Sequence, residues 1–120
     1  MARKLSVEIH KMTMQLPTFE MYETGRQLRR SAKSIRSNLV EGYGRRKYKN
    51  DFIRFVIYSL ASNDETIDHI ETLWECGSMK DEEMYSKLIS SYKKLGIKLN
   101  NFLNALITSH NEFNQHQKNP

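Results

Sequence analysis

The sequence predicts an all-α fold: an antiparallel up-down-up-down four-helix bundle with a short first helix. Three observations carry that reading. Apolar residues recur every three or four positions in four separate stretches, and the strict alternation of a half-buried strand is absent. The only prolines, Pro17 and Pro120, leave the long stretches unbroken. Pro17, Gly42, Gly44 and Gly77 fall between the stretches, where the chain must reverse. At 120 residues the chain suits one domain with one core. The bundle domain is predicted over residues 1–110, with 111–120 as a polar, frayed tail.

Each element has its own signals. The first helix is predicted over Arg3–Gln15, with Leu5, Ile9 and Met12 as its apolar stripe. Pro17 stops it and pushes Leu16 into an extended conformation. Thr18 caps a second helix over Phe19–Glu41, with Glu20 in its first turn and Leu28, Ala32, Ile35 and Leu39 facing inward. Gly25 lies inside that helix at a cost of about 1 kcal/mol relative to Ala. Gly42 and Gly44 are expected to end it in the left-handed conformation. Asn50 or Asp51 caps a third helix that runs to Cys76 and turns Ile53, Val56, Leu60, Ile67, Ile70 and Trp74 to the core. Gly77 ends it. The fourth helix, Glu82–His110, carries Tyr85, Leu88, Tyr92, Leu95, Leu99, Phe102 and Leu106 at alternating three- and four-residue steps, a heptad seam suited to bundle packing. Short loops make sequential helices antiparallel. The first helix should span roughly 20 Å against roughly 33–45 Å for the others. It therefore leaves one end of the bundle open unless another subunit covers it.

Composition narrows the function. One cysteine, Cys76, rules out an internal disulfide and fits a reducing cytoplasm. No apolar run approaches the roughly 18–20 residues of a membrane span. The amino terminus, MARKLSVEIHKM, lacks the apolar stretch of a secretory signal. These features argue against a secreted disulfide scaffold, a membrane protein and a multidomain enzyme. Catalytic patterns are also missing. No histidine follows a glutamate by three residues, the spacing of carboxylate-bridged di-iron bundles. Glu65 and His69 lie one turn apart, but two ligands do not make a metal site. Cys76 has no evident base, and Gly42-Tyr43-Gly44 lacks the Lys-Ser continuation of a phosphate loop. No catalytic residue, metal or cofactor is expected.

Charge is unevenly placed. Residues 1–60 carry 13 Lys+Arg against 5 Asp+Glu, a net of +8, and residues 61–120 carry 6 against 9, a net of −3. On the second helix Arg26, Arg29, Arg30, Lys33 and Arg36 fall within about 120° of the helix surface. Arg45, Arg46, Lys47 and Lys49 extend that stripe into the following loop. Arginine's planar fork suits phosphate or carboxylate, so the block fits the backbone of RNA or DNA, without sequence specificity. Two other readings stand beside it: a solvated face, or a surface that meets the acidic stripe Asp64, Asp68, Glu71 and Glu75 within the chain, between subunits or on a protein partner. Tyr43 and Tyr48 flank the basic loop, where they either pack the loop or stack on bases.

The run Gln27-Leu28-Arg29-Arg30-Ser31-Ala32, followed by Ser34-Ile35, Asn38-Leu39 and Glu41-Gly42, resembles the QLRRAA-x-SI-x-x-N-I-x-EG pattern of a bacterial family, the 23S rRNA intervening-sequence proteins. Leu16-Pro17, Glu20, Phe52, Arg54-Phe55 and Ala61-Ser62-x-x-Glu65 continue the likeness over roughly residues 5–107. Ser31 stands where the pattern has alanine, and Ala61 where it has glycine. The first helix is also a turn or two shorter than the family's usual one. The resemblance implies a four-helix bundle assembled as a ring-like homopentamer, with no catalytic residues to carry over. A related group, the accessory variability proteins of diversity-generating retroelements, has a similar barrel and binds nucleic acid and a reverse transcriptase. Matched by position, Arg29, Arg30, Asn38, Glu41 and Glu65 are the family's polar residues here. Glu41 and Glu65 are placed to pair with Arg29 or Arg30, and such pairs fix register more than they stabilise. These five are therefore expected to be an interface or structural lock. Arg26, Lys33, Arg36, Arg45, Arg46, Lys47 and Lys49 are the expected nucleic-acid contacts.

Overall fold

The computed structural model describes the backbone of residues 1–118 and the side chains of residues 1–111. Five helices follow one another: α1 (Ala2–Thr13), α2 (Thr18–Tyr22), α3 (Thr24–Gly44), α4 (Lys49–Glu75) and α5 (Glu82–Lys118). No strand occurs among the described residues. Four of these helices are the expected ones, and α2 is a single turn split from the second. The split falls at Glu23, whose ψ of −100° is not helical. Neither glycine nor proline marks that position. Pro17, not Thr18, occupies the cap position of α2, and no side chain caps it.

Gly25 explains the approach of α2 to α3. A Cβ there would lie 3.0 Å from the Glu20 carbonyl oxygen and 3.3 Å from Arg29 Nη1. Its helix-propensity cost is thus offset by a close contact that no other residue permits. Gly42 and Gly44 do not adopt the expected left-handed conformation. Among the described glycines only Gly77 has positive φ, at 76°. Gly42 lies inside α3, where a Cβ would meet Phe55 Cβ at 3.0 Å and Phe52 Cδ1 at 3.1 Å. Close packing of α3 on α4 therefore selects this glycine. Gly77 does end α4 as expected. The Ser78 amide bonds the Leu73 carbonyl at 3.0 Å and the Gly77 amide bonds that of Trp74 at 3.1 Å, the two bonds of a Schellman motif. At the other end of α5 the helix runs eight residues past the expected His110, to Lys118. Residues 119–120 of the predicted tail lie outside the described residues.

The core follows the predicted stripes. Leu5, Ile9 and Met12 of α1 pack with Leu28, Ala32 and Ile35 of α3, Ile70 and Leu73 of α4, and Leu88, Tyr92, Leu95 and Leu99 of α5. Full burial of a side chain such as Ile9 or Leu28 contributes about 1.5–3 kcal/mol. Phe102 departs from the seam: it is 42% exposed and meets Phe52 edge-on at 5.6 Å. The α3–α4 seam is polar. Ser59 Oγ donates to the Ile35 carbonyl (2.7 Å), Ser62 Oγ to Ser34 Oγ (2.9 Å) and Thr66 Oγ1 to Ser31 Oγ (2.8 Å). Partners fall on α3 as they rise on α4, so these two helices run antiparallel. Short hydroxyl side chains on both helices let the backbones approach while their own groups stay paired. Ser31, the departure from the family's alanine, is part of this seam.

α1 reaches only part of the molecule, which measures 63 × 21 × 20 Å. Met1 Sδ accepts from Lys98 Nζ at 3.7 Å, and Met12 shares a groove with Met84 and Leu88. α1 thus lies along residues 84–98 of α5. Beyond it, Phe52, Val56 and Leu106 form a second small core, backed by Leu39, Ile53 and Leu103, to which α1 contributes nothing. Val40, Ile57, Phe102 and Ile107 are exposed in this part of the chain. No helix among the described residues is long and apolar enough to cross a membrane.

Candidate nucleic-acid interface

The α3–α4 turn builds the basic end. α3 closes with the Arg45 amide on the Gly42 carbonyl (3.0 Å) and the Arg46 amide on that of Tyr43 (3.1 Å), and the Tyr48 amide returns to Arg45 at 2.8 Å. These bonds hold Arg45, Arg46, Lys47 and Tyr48 in a tight reversal. All four are exposed.

The cations here divide into two groups. Arg45 Nη1 forms an ion pair with the Glu41 carboxylate one turn back, and its guanidinium carbon stands 4.9 Å from the Phe55 ring centre. Arg54 pairs with Asp51 at 3.3 Å and covers the same ring at 5.6 Å. Phe55 is thus flanked by two cations, each already neutralised. Arg46, Lys47 and Lys49 have no ion-pair partner among the described residues. Arg46 instead stacks on Tyr43, with 4.3 Å between guanidinium carbon and ring centre, and its Nη1 donates to the Tyr43 carbonyl at 3.1 Å. Arg26, Arg30, Lys33 and Arg36 are also exposed along α3 and free of ion pairs among the described residues. From Arg26 to Tyr43 the stripe runs about 26 Å at the helical rise.

The five polar family residues serve different ends. Arg29 turns away from the stripe: its Nη1 donates to Thr13 Oγ1 (3.0 Å) and its Nη2 to the Met21 carbonyl (3.2 Å). It ties α1 and α2 to α3 without any carboxylate partner. Asn38 Nδ2 donates to the Ser34 carbonyl (2.9 Å) and Ser34 Oγ (3.0 Å), next to the Ser34–Ser62 bond of the seam. Glu41 goes to Arg45, and Glu65 lies 3.2 Å from His69 Nε2. The expected pairing of Glu41 or Glu65 with Arg29 or Arg30 is therefore not made. Arg30 and Glu65 do line one open groove with Gln27, Ser31 and Ser34.

At the opposite end a second polar tie appears. Ser78 Oγ donates to Glu20 Oε2 at 2.9 Å. Hydrogen bonds from Thr24 and Ser78 hold the Glu20 carboxyl below its ordinary value, outweighing partial burial. The acidic residues Asp64, Asp68 and Glu75 stay exposed on α4, and no ion pair joins them to the basic stripe among the described residues.

Sequence reasoning missed the two cation–aromatic stacks. The Tyr43–Arg46 stack was readable at a spacing of three, and so were the ion pairs beside Phe55, Glu41–Arg45 at four and Asp51–Arg54 at three; Arg45, ten residues from Phe55, was not. It also missed Asn63, which is buried and donates from Nδ2 to the Tyr92 carbonyl at 3.0 Å. Gly96 makes room for it, since a Cβ there would lie 3.0 Å from Asn63 Nδ2.

Residues 1–101 match the family model of the 23S rRNA-intervening sequence protein. The chain belongs to that family. No curated protein matches it. Every polar residue carried over from the family pattern lies within the matched span. So does the whole Arg26–Lys49 stripe, and the match ends in the part of α5 that faces Phe52 and Val56.

Proposed function

We propose that the protein is a non-enzymatic, self-associating up-down-up-down bundle that binds nucleic acid through the Arg26–Lys49 surface without sequence specificity. The observation that carries this reading is the group of cations with no carboxylate beside them. Arg46, Lys47 and Lys49 crowd one turn, and Arg26, Lys33 and Arg36 continue from it along α3. Like charges held this close repel one another, and a polyanion relieves that repulsion by releasing its counterions. Arg45, closed by Glu41, contributes less than its neighbours.

Self-association as a ring-like pentamer is the assembly that the family resemblance implies. It is supported by the exposed Val40, Ile57, Phe102 and Ile107, in the half of the chain that α1 leaves uncovered. A cytoplasmic setting accords with the lone Cys76, which is exposed. A second reading has its own observation: Asp64, Asp68 and Glu75 are exposed and unpaired with the stripe, so copies could meet basic face to acidic face, or the stripe could take an acidic protein partner.

One experiment separates the two. Reversing charge at Arg46, Lys47 and Lys49 together is expected to abolish binding to labelled RNA and duplex DNA while leaving the mass by light scattering unchanged. Unchanged binding would overturn the proposal. A loss of mass would favour the stripe as a subunit contact.

A further inference from the structure

We infer that the turn at the basic end takes single-stranded polynucleotide, with Tyr43 and Tyr48 as stacking surfaces for unpaired bases. This rests on the nucleic-acid reading above and specifies its ligand. Tyr48 is 70% exposed and Tyr43 59%, beside Arg46 and Lys47 on a turn pinned by backbone hydrogen bonds. Neither ring stacks on another aromatic ring among the described residues. Within the loop Tyr43 packs against the Arg46 guanidinium, and both tyrosines stay well exposed.

Two cation–aromatic stacks lie side by side here, and their difference is informative. Phe55 is half-buried, flanked by Arg45 and Arg54, and both cations are neutralised by Glu41 and Asp51. That stack is closed. Tyr43 carries a single guanidinium at 4.3 Å, which keeps its full charge, and the pair stays exposed. A planar guanidinium already layered on a tyrosine presents both a flat surface for a base and a charge for the adjoining phosphate. Tyr48 sits between Lys47 and Lys49, so each exposed ring has unpaired cations within reach along the chain.

A duplex makes poor use of such a surface. Its bases are stacked on each other and offer only edges, so a duplex would engage the cations and leave the rings idle. A single strand offers phosphates and base faces together, and every base has a π-face, so the preference is for strandedness and not for sequence. The α3 stripe, about 26 Å from Arg26 to Tyr43, gives the rest of the strand a positive track.

The test uses the full chain and fluorescence anisotropy with unstructured oligonucleotides of about 16 nucleotides: single-stranded RNA, single-stranded DNA and the matching duplex. Tyr43→Ala with Tyr48→Ala should weaken both single strands by about 30-fold or more and leave duplex affinity within about 2-fold. Tyr43→Phe with Tyr48→Phe should bind like the wild type, because the ring is kept and only the hydroxyl is lost. Comparing the RNA and DNA arms shows whether the sugar matters. If the alanine pair binds single strands as tightly as the wild type, or loses duplex and single strand equally, the inference is overturned while the cation reading stands. If the wild type binds no strand of any kind, the underlying reading fails and this inference with it. Both rings are exposed, and matching thermal melts of the alanine and phenylalanine pairs confirm that binding, not folding, is read.

Discussion

Replacing Arg29 by methionine tests whether the family's arginines act in binding or in folding. Methionine keeps the apolar stem of the side chain and removes the fork. Two hydrogen bonds are lost, to Thr13 Oγ1 at 3.0 Å and to the Met21 carbonyl at 3.2 Å. Bonds from a charged donor contribute about 1.5–3 kcal/mol each. Arg29 is half-buried, so the lower end applies and the pair is worth about 3 kcal/mol. Thr13 is fully buried but keeps its own bond to the His10 carbonyl, which limits the further penalty there. For a chain of this size 1 kcal/mol moves the melting temperature by about 4 °C, so R29M should melt about 12 °C lower. Thermal unfolding followed by circular dichroism reads this directly, with Lys33→Met as the exposed control, expected within about 2 °C of the wild type. Nucleic-acid binding by R29M, measured well below its midpoint, should be unchanged. An unaltered melting temperature together with lost binding would refute the structural role and return Arg29 to the binding surface.

Two further outcomes follow from the packing. Gly42→Ala gains about 1 kcal/mol of helix propensity, but its methyl would meet Phe55 Cβ at 3.0 Å, and overpacking costs about 1–3 kcal/mol; a net loss of stability in urea titration is expected, and a net gain would show that α3 and α4 separate easily. The Tyr92 hydroxyl is buried without a hydrogen-bond partner among the described residues, so Tyr92→Phe should stabilise by about 1 kcal/mol. Burial, and next Glu8, raise the Tyr92 pKa above its ordinary 10.0. The neutral form is therefore favoured in the fold, so stability is full below about pH 10 and falls as pH rises beyond it. The phenylalanine variant should lose less stability in that alkaline range, and parallel pH profiles for the two proteins would contradict this account.

The long helices were legible because burial along a helix repeats at its own period. Leu5-Ile9-Met12, Leu28-Ala32-Ile35 and Leu88-Tyr92-Leu95-Leu99 mark three of the core faces directly. The kink at Glu23 was not legible, since it arises from how α2 folds back on α3 and no local residue demands it. Gly25 and Gly42 were visible but read as backbone signals, whereas each is selected by what lies opposite in space. The Ser59, Ser62, Asn63 and Thr66 seam was hidden because polar residues read as outward until their partners on the neighbouring helices are known. For the candidate site, the charge imbalance located the surface. Which cations remain uncompensated depended on helical neighbours: Glu41 and Asp51 engage Arg45 and Arg54 and leave Arg46, Lys47 and Lys49.

The measurement that tests the central claim most directly is the salt dependence of nucleic-acid binding by the unmodified protein. Affinity for labelled RNA and duplex DNA, compared at about 50 and 200 mM salt, should fall by orders of magnitude, with a slope of about −0.7 per neutralised phosphate for single strands and −0.9 for duplex. Binding absent at the lower salt, or insensitive to the change, would contradict the claim that uncompensated arginines and lysines form the working surface.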